Sequence, residues 1–205
     1  TYYLSGSTII GEQTGDKIIL YIYDANGSPI GFQYRDSGYA VGSWDSFWYE
    51  KNLHGDIVAV YSNAGIKLVS YTYDAWGNFT VQYYNGGNNT VASENPFTYR
   101  GYYYDIDLNL YYLNARYYDS VVCRFISPDI FISTGQGLLG NNMFAYCGNS
   151  VANFSDSTGT CYVDANGNWT HHYWEFFGNH PIKNDPRYGL TIVVTHENGL
   201  ETQVS

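Results

Sequence analysis

Tyrosine-aspartate pairs followed by a glycine turn recur along this chain, and a repeat of that kind decides architecture before any local motif does. The first copy reads Tyr21-Ile22-Tyr23-Asp24-Ala25-Asn26-Gly27 and the second Tyr71-Thr72-Tyr73-Asp74-Ala75-Trp76-Gly77. A looser echo follows at Tyr103-Tyr104-Asp105-Ile106-Asp107-Leu108-Asn109. In each copy two aromatic residues stand two apart, which places both rings on one face of a strand. A turn-forming group then leads into another alternating run, the signature of a β-hairpin. The third copy comes sooner after the second than the second after the first, so the repeat is degenerate.

Composition supports strands joined by tight turns. Tyrosine occurs 24 times and glycine 22 times in 205 residues. Aromatics favour a pleated surface and glycine supplies positive φ. No long amphipathic helical pattern interrupts the rhythm. The reading is therefore all-β, with consecutive antiparallel strands from about Lys17 to Asp119 and any short helix confined to Gly135–Asn149. Lys17–Tyr34 reads as a hairpin around Asn26-Gly27. Phe47–Lys51, Ile57–Tyr61, Ile66–Tyr73 and Phe79–Tyr84 continue the meander, turning at His54-Gly55-Asp56, Asn63-Ala64-Gly65 and Asp74–Asn78. Asn95–Asp129 is the densest stretch. Arginines among so many tyrosines predict ring stacking and a few buried charge-assisted hydrogen bonds.

Formal net charge is −10. That argues against nonspecific nucleic-acid binding, which needs a basic footprint. It argues equally against an anionic membrane surface. No window approaches the roughly 18 consecutive apolar residues of a membrane-spanning helix. The first residues, Thr1-Tyr2-Tyr3-Leu4, already read as strand, so the sequence looks cut from something longer. Cys123, Cys147 and Cys161 form no Cys-x-x-Cys pair, so they read as small hydrophobes rather than a zinc site or disulfide framework.

Asn109–Asp119, reading Asn-Leu-Tyr-Tyr-Leu-Asn-Ala-Arg-Tyr-Tyr-Asp, and Arg124-Phe125-Ile126-Ser127-Pro128-Asp129 resemble the core region of Rhs (rearrangement hotspot) and YD-repeat proteins. Asn142–Asn149, Asp156-Ser157-Thr158-Gly159 and the upstream segment Lys51–Val58 agree with that resemblance, which covers about residues 17–159. It implies hairpin repeats that form part of a spiralling β-sheet shell, with a short irregular or helical plug segment. The expected organisation is repeat strands at 1–100, the core region at 101–159 and a variable tail at 160–205 that begins an effector. The resemblance also implies a secreted or surface-exposed bacterial toxin that encloses or presents this effector. Its expected partner is its own C-terminal effector segment, with an immunity protein or a cell-surface carbohydrate as further partners, and no cofactor or metal. Some members cut themselves just after the terminal Asp-Pro-x-Gly by an aspartate-dependent mechanism. That mechanism needs two carboxylates: Asp129 stands for one, the region around Phe144–Tyr146 where the second is expected has no acid, and Asp156 is the nearby substitute.

Several positions depart from the family pattern. Ser120 stands where proline is usual after Asp119, Ser157 where proline is usual after Asp156, and Thr160 where cleaving members have leucine. These departures predict that the two carboxylates stay apart and that the chain stays whole. A second alternative is a carbohydrate-binding module that stacks sugar rings on Trp44, Trp48 and Trp76. In the tail, His171, His172, His180, Asp185 and His196 match no ligand spacing and read as an ordinary polar segment.

Overall fold

The computed structural model describes residues 1–6, 8–84, 94–129, 142–160 and 162–164, together with the backbone of Trp169–Thr170, Ile192–Thr195 and Glu201–Val204. Regular structure among them is antiparallel β, apart from two single 3-10 turns at Tyr99–Gly101 and Cys147–Asn149. The second of these falls inside the segment where a short helix was expected; residues 135–141 of that segment lie outside the described residues.

Eight strands form one meander: β1 (Tyr2–Ser5), β2 (Thr8–Thr14), β3 (Lys17–Tyr23), β4 (Pro29–Arg35), β5 (Asp45–Lys51), β6 (Ile57–Ser62), β7 (Lys67–Tyr73) and β8 (Phe79–Tyr83). Their spatial order is their sequence order, each strand pairing with the next. The meander thus begins two strands earlier than Lys17. A second sheet holds β9 (Tyr103–Asp105), β10 (Leu110–Leu113), β11 (Arg116–Asp119) and β12 (Arg124–Phe125), again in consecutive order. A third contains β13 (Phe154–Ser155), β14 (Tyr162–Asp164) and β15 (Trp169–Thr170). The hairpin of β16 (Ile192–Thr195) and β17 (Glu201–Val204) is separate.

The aspartate of each repeat has a structural task. Asp24 Oδ1 accepts the backbone N–H groups of Asn26 and Ser28 at 2.9 and 2.8 Å. Asp74 Oδ1 accepts those of Trp76 and Asn78 at 2.9 and 3.0 Å. Asp105 repeats the device with Asp107 and Leu108, and Asp119 with Val121 and Val122. A carboxylate that mimics a backbone turn in this way explains why aspartate follows the strand tyrosine.

Alternating side chains of the meander build one core around Tyr21, Phe32, Phe47, Val60, Val69 and Tyr71. The second core gathers Tyr102, Tyr111, Tyr118, Phe125, Tyr146 and Tyr162. Tyr73 and Phe79 pack against both, so the β7–β8 hairpin is the joint between them. Each ring so buried contributes on the order of 1.5–3 kcal/mol of transfer free energy. Among the described residues the outer edges of β1 and β8 pair with no further strand. Tyr2, Tyr3 and Leu4 on β1 are exposed, as an open sheet end requires.

Candidate functional site

The β10–β11 turn sits under a second turn, Asp156–Gly159, and the arginine that opens β11 reaches into the space between them. Arg116 is buried. Its guanidinium stacks on the Phe125 ring, 3.6 Å from the centroid, which fixes its plane. Each nitrogen then has a task. Nη1 donates to the Met143 carbonyl at 3.1 Å. Nη2 lies 2.8 Å from Asp129 Oδ2 and 3.7 Å from Asp156 Oδ2. Nε donates to the carbonyl oxygen of Gly159. A planar fork can hold several acceptors at once in fixed directions, which an ammonium cannot.

Asp129 is held by its backbone as well, its N–H donating to the Met143 carbonyl at 2.8 Å. Asp156 is almost fully buried, at 1% exposure. Its Oδ1 accepts the N–H of Gly159 at 2.7 Å and both the N–H and the hydroxyl of Thr158 at 3.2 Å. Its own N–H donates to the Tyr102 hydroxyl at 3.0 Å. Burial pushes its carboxyl up to about 6, against the pull of Arg116 and these hydrogen bonds. The turn is clamped from above: Asn114 Nδ2 donates to the Ser157 carbonyl at 2.8 Å, and the Ala115 N–H to that of Thr158 at 3.2 Å. Gly159 has φ +70°, and a Cβ there would overlap the Leu113 carbonyl oxygen.

Both carboxylates face Arg116 Nη2, one on either side of the same cation. The missing proline does not open the turn, because Asp156 Oδ1 and Asn114 shape it instead. The sequence pattern predicts buried bonds and stacking for the arginines but carries no signal that links Arg116 to both acids. Arg100 follows the same pattern, over the Tyr99 ring and 3.8 Å from Asp56.

The other candidates are dispersed. Trp44 is half-buried beneath Arg35, and Trp76 is half-buried in the second repeat turn. Trp48 alone of the three is exposed, its Nε1 donating to Asn63 at 3.3 Å. Cys147 is buried and Cys123 half-buried; both are free. Cys161 and the candidates His171, His172, His180, Asp185 and His196 lie outside the described residues. Among the described residues no group of three or more histidines, cysteines or acids could hold a metal ion, and no helix is long and apolar enough to cross a membrane. A cavity of about 340 Å³ opens between the first two sheets. Two of its acids are engaged structurally, Glu12 by Tyr21 and Tyr103, Glu94 by Lys17.

No family model matches the chain. Over 165 residues it is 34% identical to the tRNA3(Ser)-specific nuclease WapA of Bacillus spizizenii, and over another 165-residue alignment 35% identical to the tRNA nuclease WapA of Bacillus subtilis. Each alignment covers 76% of this chain, which spans only 6% of the length of those relatives. Among solved structures, a TcdB2–TccC3 complex matches with a TM-score of 0.57 at 19% identity, over 76% of this chain and 7% of that one. A Tc holotoxin pore of Photorhabdus luminescens matches with a TM-score of 0.54 at 16% identity, again over 76% of this chain and 7% of that one. The structural likeness is one of fold. These likenesses support the Rhs family to which the Asn109–Asp119 and Arg124–Asp129 segments pointed.

Proposed function

We propose that residues 1–159 are a wall piece of an Rhs-type toxin shell and that residues 160–205 begin the segment this shell encloses. The observation that carries the reading is the meander itself. Its strands stack in sequence order, its two end strands pair with no further strand among the described residues, and its last hairpin is the joint to the core stretch. An open strand edge is a template on which a further strand can pair. The curated relatives are tRNA nucleases; a net charge of −10 speaks against nonspecific nucleic-acid binding by this chain. A secreted or surface location and an immunity partner follow from the same reading.

Limited proteolysis tests it. In the intact parent protein the segment after Thr160 should resist a protease that digests it in the isolated 205-residue chain. Equal susceptibility in both overturns enclosure.

One arrangement favours a second reading, self-cleavage at the end of the core. Arg116 brings Asp129, Asp156 and the Gly159 carbonyl to one guanidinium. One carboxylate takes a proton from water as the water oxygen adds to the Gly159 carbonyl carbon. The Nε–H of Arg116 stabilises the developing oxyanion. The other, protonated carboxyl gives its proton to the Thr160 nitrogen as the C–N bond breaks, which divides acid and base roles between two unlike environments. The intact mass of the purified chain decides. Two pieces, the second starting at Thr160 and absent in Asp129→Asn, are expected. A single full-length mass overturns this second reading and leaves the shell reading standing.

A further inference from the structure

We infer that the Gly159–Thr160 bond breaks in two steps, with the Thr160 hydroxyl as the first nucleophile and the Thr158 hydroxyl as its proton carrier. The inference rests on the self-cleavage reading and deepens it: water then meets an ester instead of an amide. Residue 160 bears its hydroxyl on Cβ, so closure of Oγ1 onto the Gly159 carbonyl carbon makes a five-membered ring. Nucleophile and electrophile are thus already joined, which removes the entropic cost of bringing them together. The electrophile is held as well. Arg116 Nε donates to the Gly159 carbonyl oxygen. Gly159 itself is wedged, since a Cβ there would lie 2.4 Å from the Leu113 carbonyl oxygen.

One oxygen, Thr158 Oγ1, touches both atoms of Thr160 whose protonation must change. It lies 3.1 Å from Thr160 Oγ1 and accepts the Thr160 N–H at 3.4 Å. It donates its own proton to Asp156 Oδ1 at 3.2 Å, which leaves the Thr160 hydroxyl as donor to it. As Thr160 Oγ1 adds to the Gly159 carbonyl carbon, its proton passes to Thr158, whose own passes to Asp156. The Nε–H of Arg116 stabilises the oxyanion. The C–N bond then breaks as a proton returns through the same hydroxyl to the Thr160 nitrogen. The product is an ester between Gly159 and Thr160 Oγ1, beside a free amino group. Water, its proton taken by Asp129, adds to the ester carbonyl. The C–O bond breaks and Thr160 Oγ1 regains a proton. One water is consumed, leaving a Gly159 carboxylate and a chain that begins at Thr160.

The test traps the ester. The purified 205-residue chain is held in neutral hydroxylamine under native conditions, and its pieces are weighed. The piece ending at Gly159 should carry a hydroxamate, heavier than the acid that water leaves. Asp129→Asn blocks only the second step, so it should still yield the hydroxamate. Thr160→Ala should lower the yield by about a hundredfold or more, and Thr160→Ser, which keeps a hydroxyl, should restore it. Thr158→Ala should slow trapping by about a hundredfold. An acid piece without hydroxamate, formed equally well by Thr160→Ala, overturns the inference and leaves the self-cleavage reading standing. A hydroxamate with no acid piece in plain buffer supports the inference although unaided self-cleavage has failed. No piece under either condition overturns both.

Discussion

The hydroxyl of Tyr111 donates to the backbone carbonyl of Gly77 at 2.7 Å, across 34 residues of chain. Two neighbours do the same for the rest of the turn: Tyr99 donates to Ala75 and Tyr118 to Trp76, each at 2.8 Å. Three consecutive carbonyls of the second repeat turn are thus satisfied by three core tyrosines. Tyr111→Phe keeps the ring and strands the Gly77 carbonyl in a buried place. It should cost about 1–3 kcal/mol, read as a lower urea midpoint with an unchanged slope. A midpoint within error of wild type would show that water serves this carbonyl as well.

Gly27 and Gly77 hold the same place in their repeats, yet their surroundings differ. Both have positive φ, +78° and +94°. A Cβ on Gly27 meets nothing within 4 Å, whereas one on Gly77 would lie 2.7 Å from a Tyr99 ring carbon. Gly27→Ala should cost only backbone strain, about 1 kcal/mol. Gly77→Ala should cost at least about 1–3 kcal/mol more through overpacking. Thermal melts of the two variants side by side check the ordering, and equal losses would contradict it.

The hairpins were legible because their signals are local. Alternating apolar residues, an aspartate and a glycine within one turn carry the geometry of β3–β4 and β7–β8 between them. Asp24 and Asp74 then show why those residues stand there. The Arg116 cluster was half legible. The motif marked Asp129 and Asp156, but the place of Asp156 beside Arg116 depends on a turn whose shape comes from Asn114 and from the Asp156 carboxylate rather than from proline. A missing proline is visible in a sequence; a hydrogen bond from Asn114 that replaces its effect is not. The seam at Ala75–Gly77 was not legible either, since any of 24 tyrosines could have supplied its hydroxyls.

Arg116 should be irreplaceable even by lysine. An ammonium cannot serve Gly159, Met143 and Asp129 together or stack flat on Phe125. Arg116→Met leaves two carboxylates in a buried site without their cation, at a cost of about 3–5 kcal/mol. Arg116→Lys should recover less than half of that loss in denaturant titrations. Full recovery would mean that charge alone, not the fork, organises the site.

Asp156 sets a pH dependence whose sign follows from burial. Its carboxyl titrates near 3.8 when unfolded and about 6 in the fold. Between those values the folded chain holds a proton that the unfolded chain has lost, so stability must fall as pH rises. The contribution is fully present below about pH 4 and is gone above about pH 6, and amounts to roughly 3 kcal/mol. Asp156→Asn keeps an acceptor for the Gly159 N–H and removes the titration. Urea unfolding at pH 4 and pH 7 should therefore show wild type losing more stability than the Asn variant, by about that amount. Identical pH dependence in the two proteins would mean that Asp156 is ionised throughout, with Arg116 outweighing its burial.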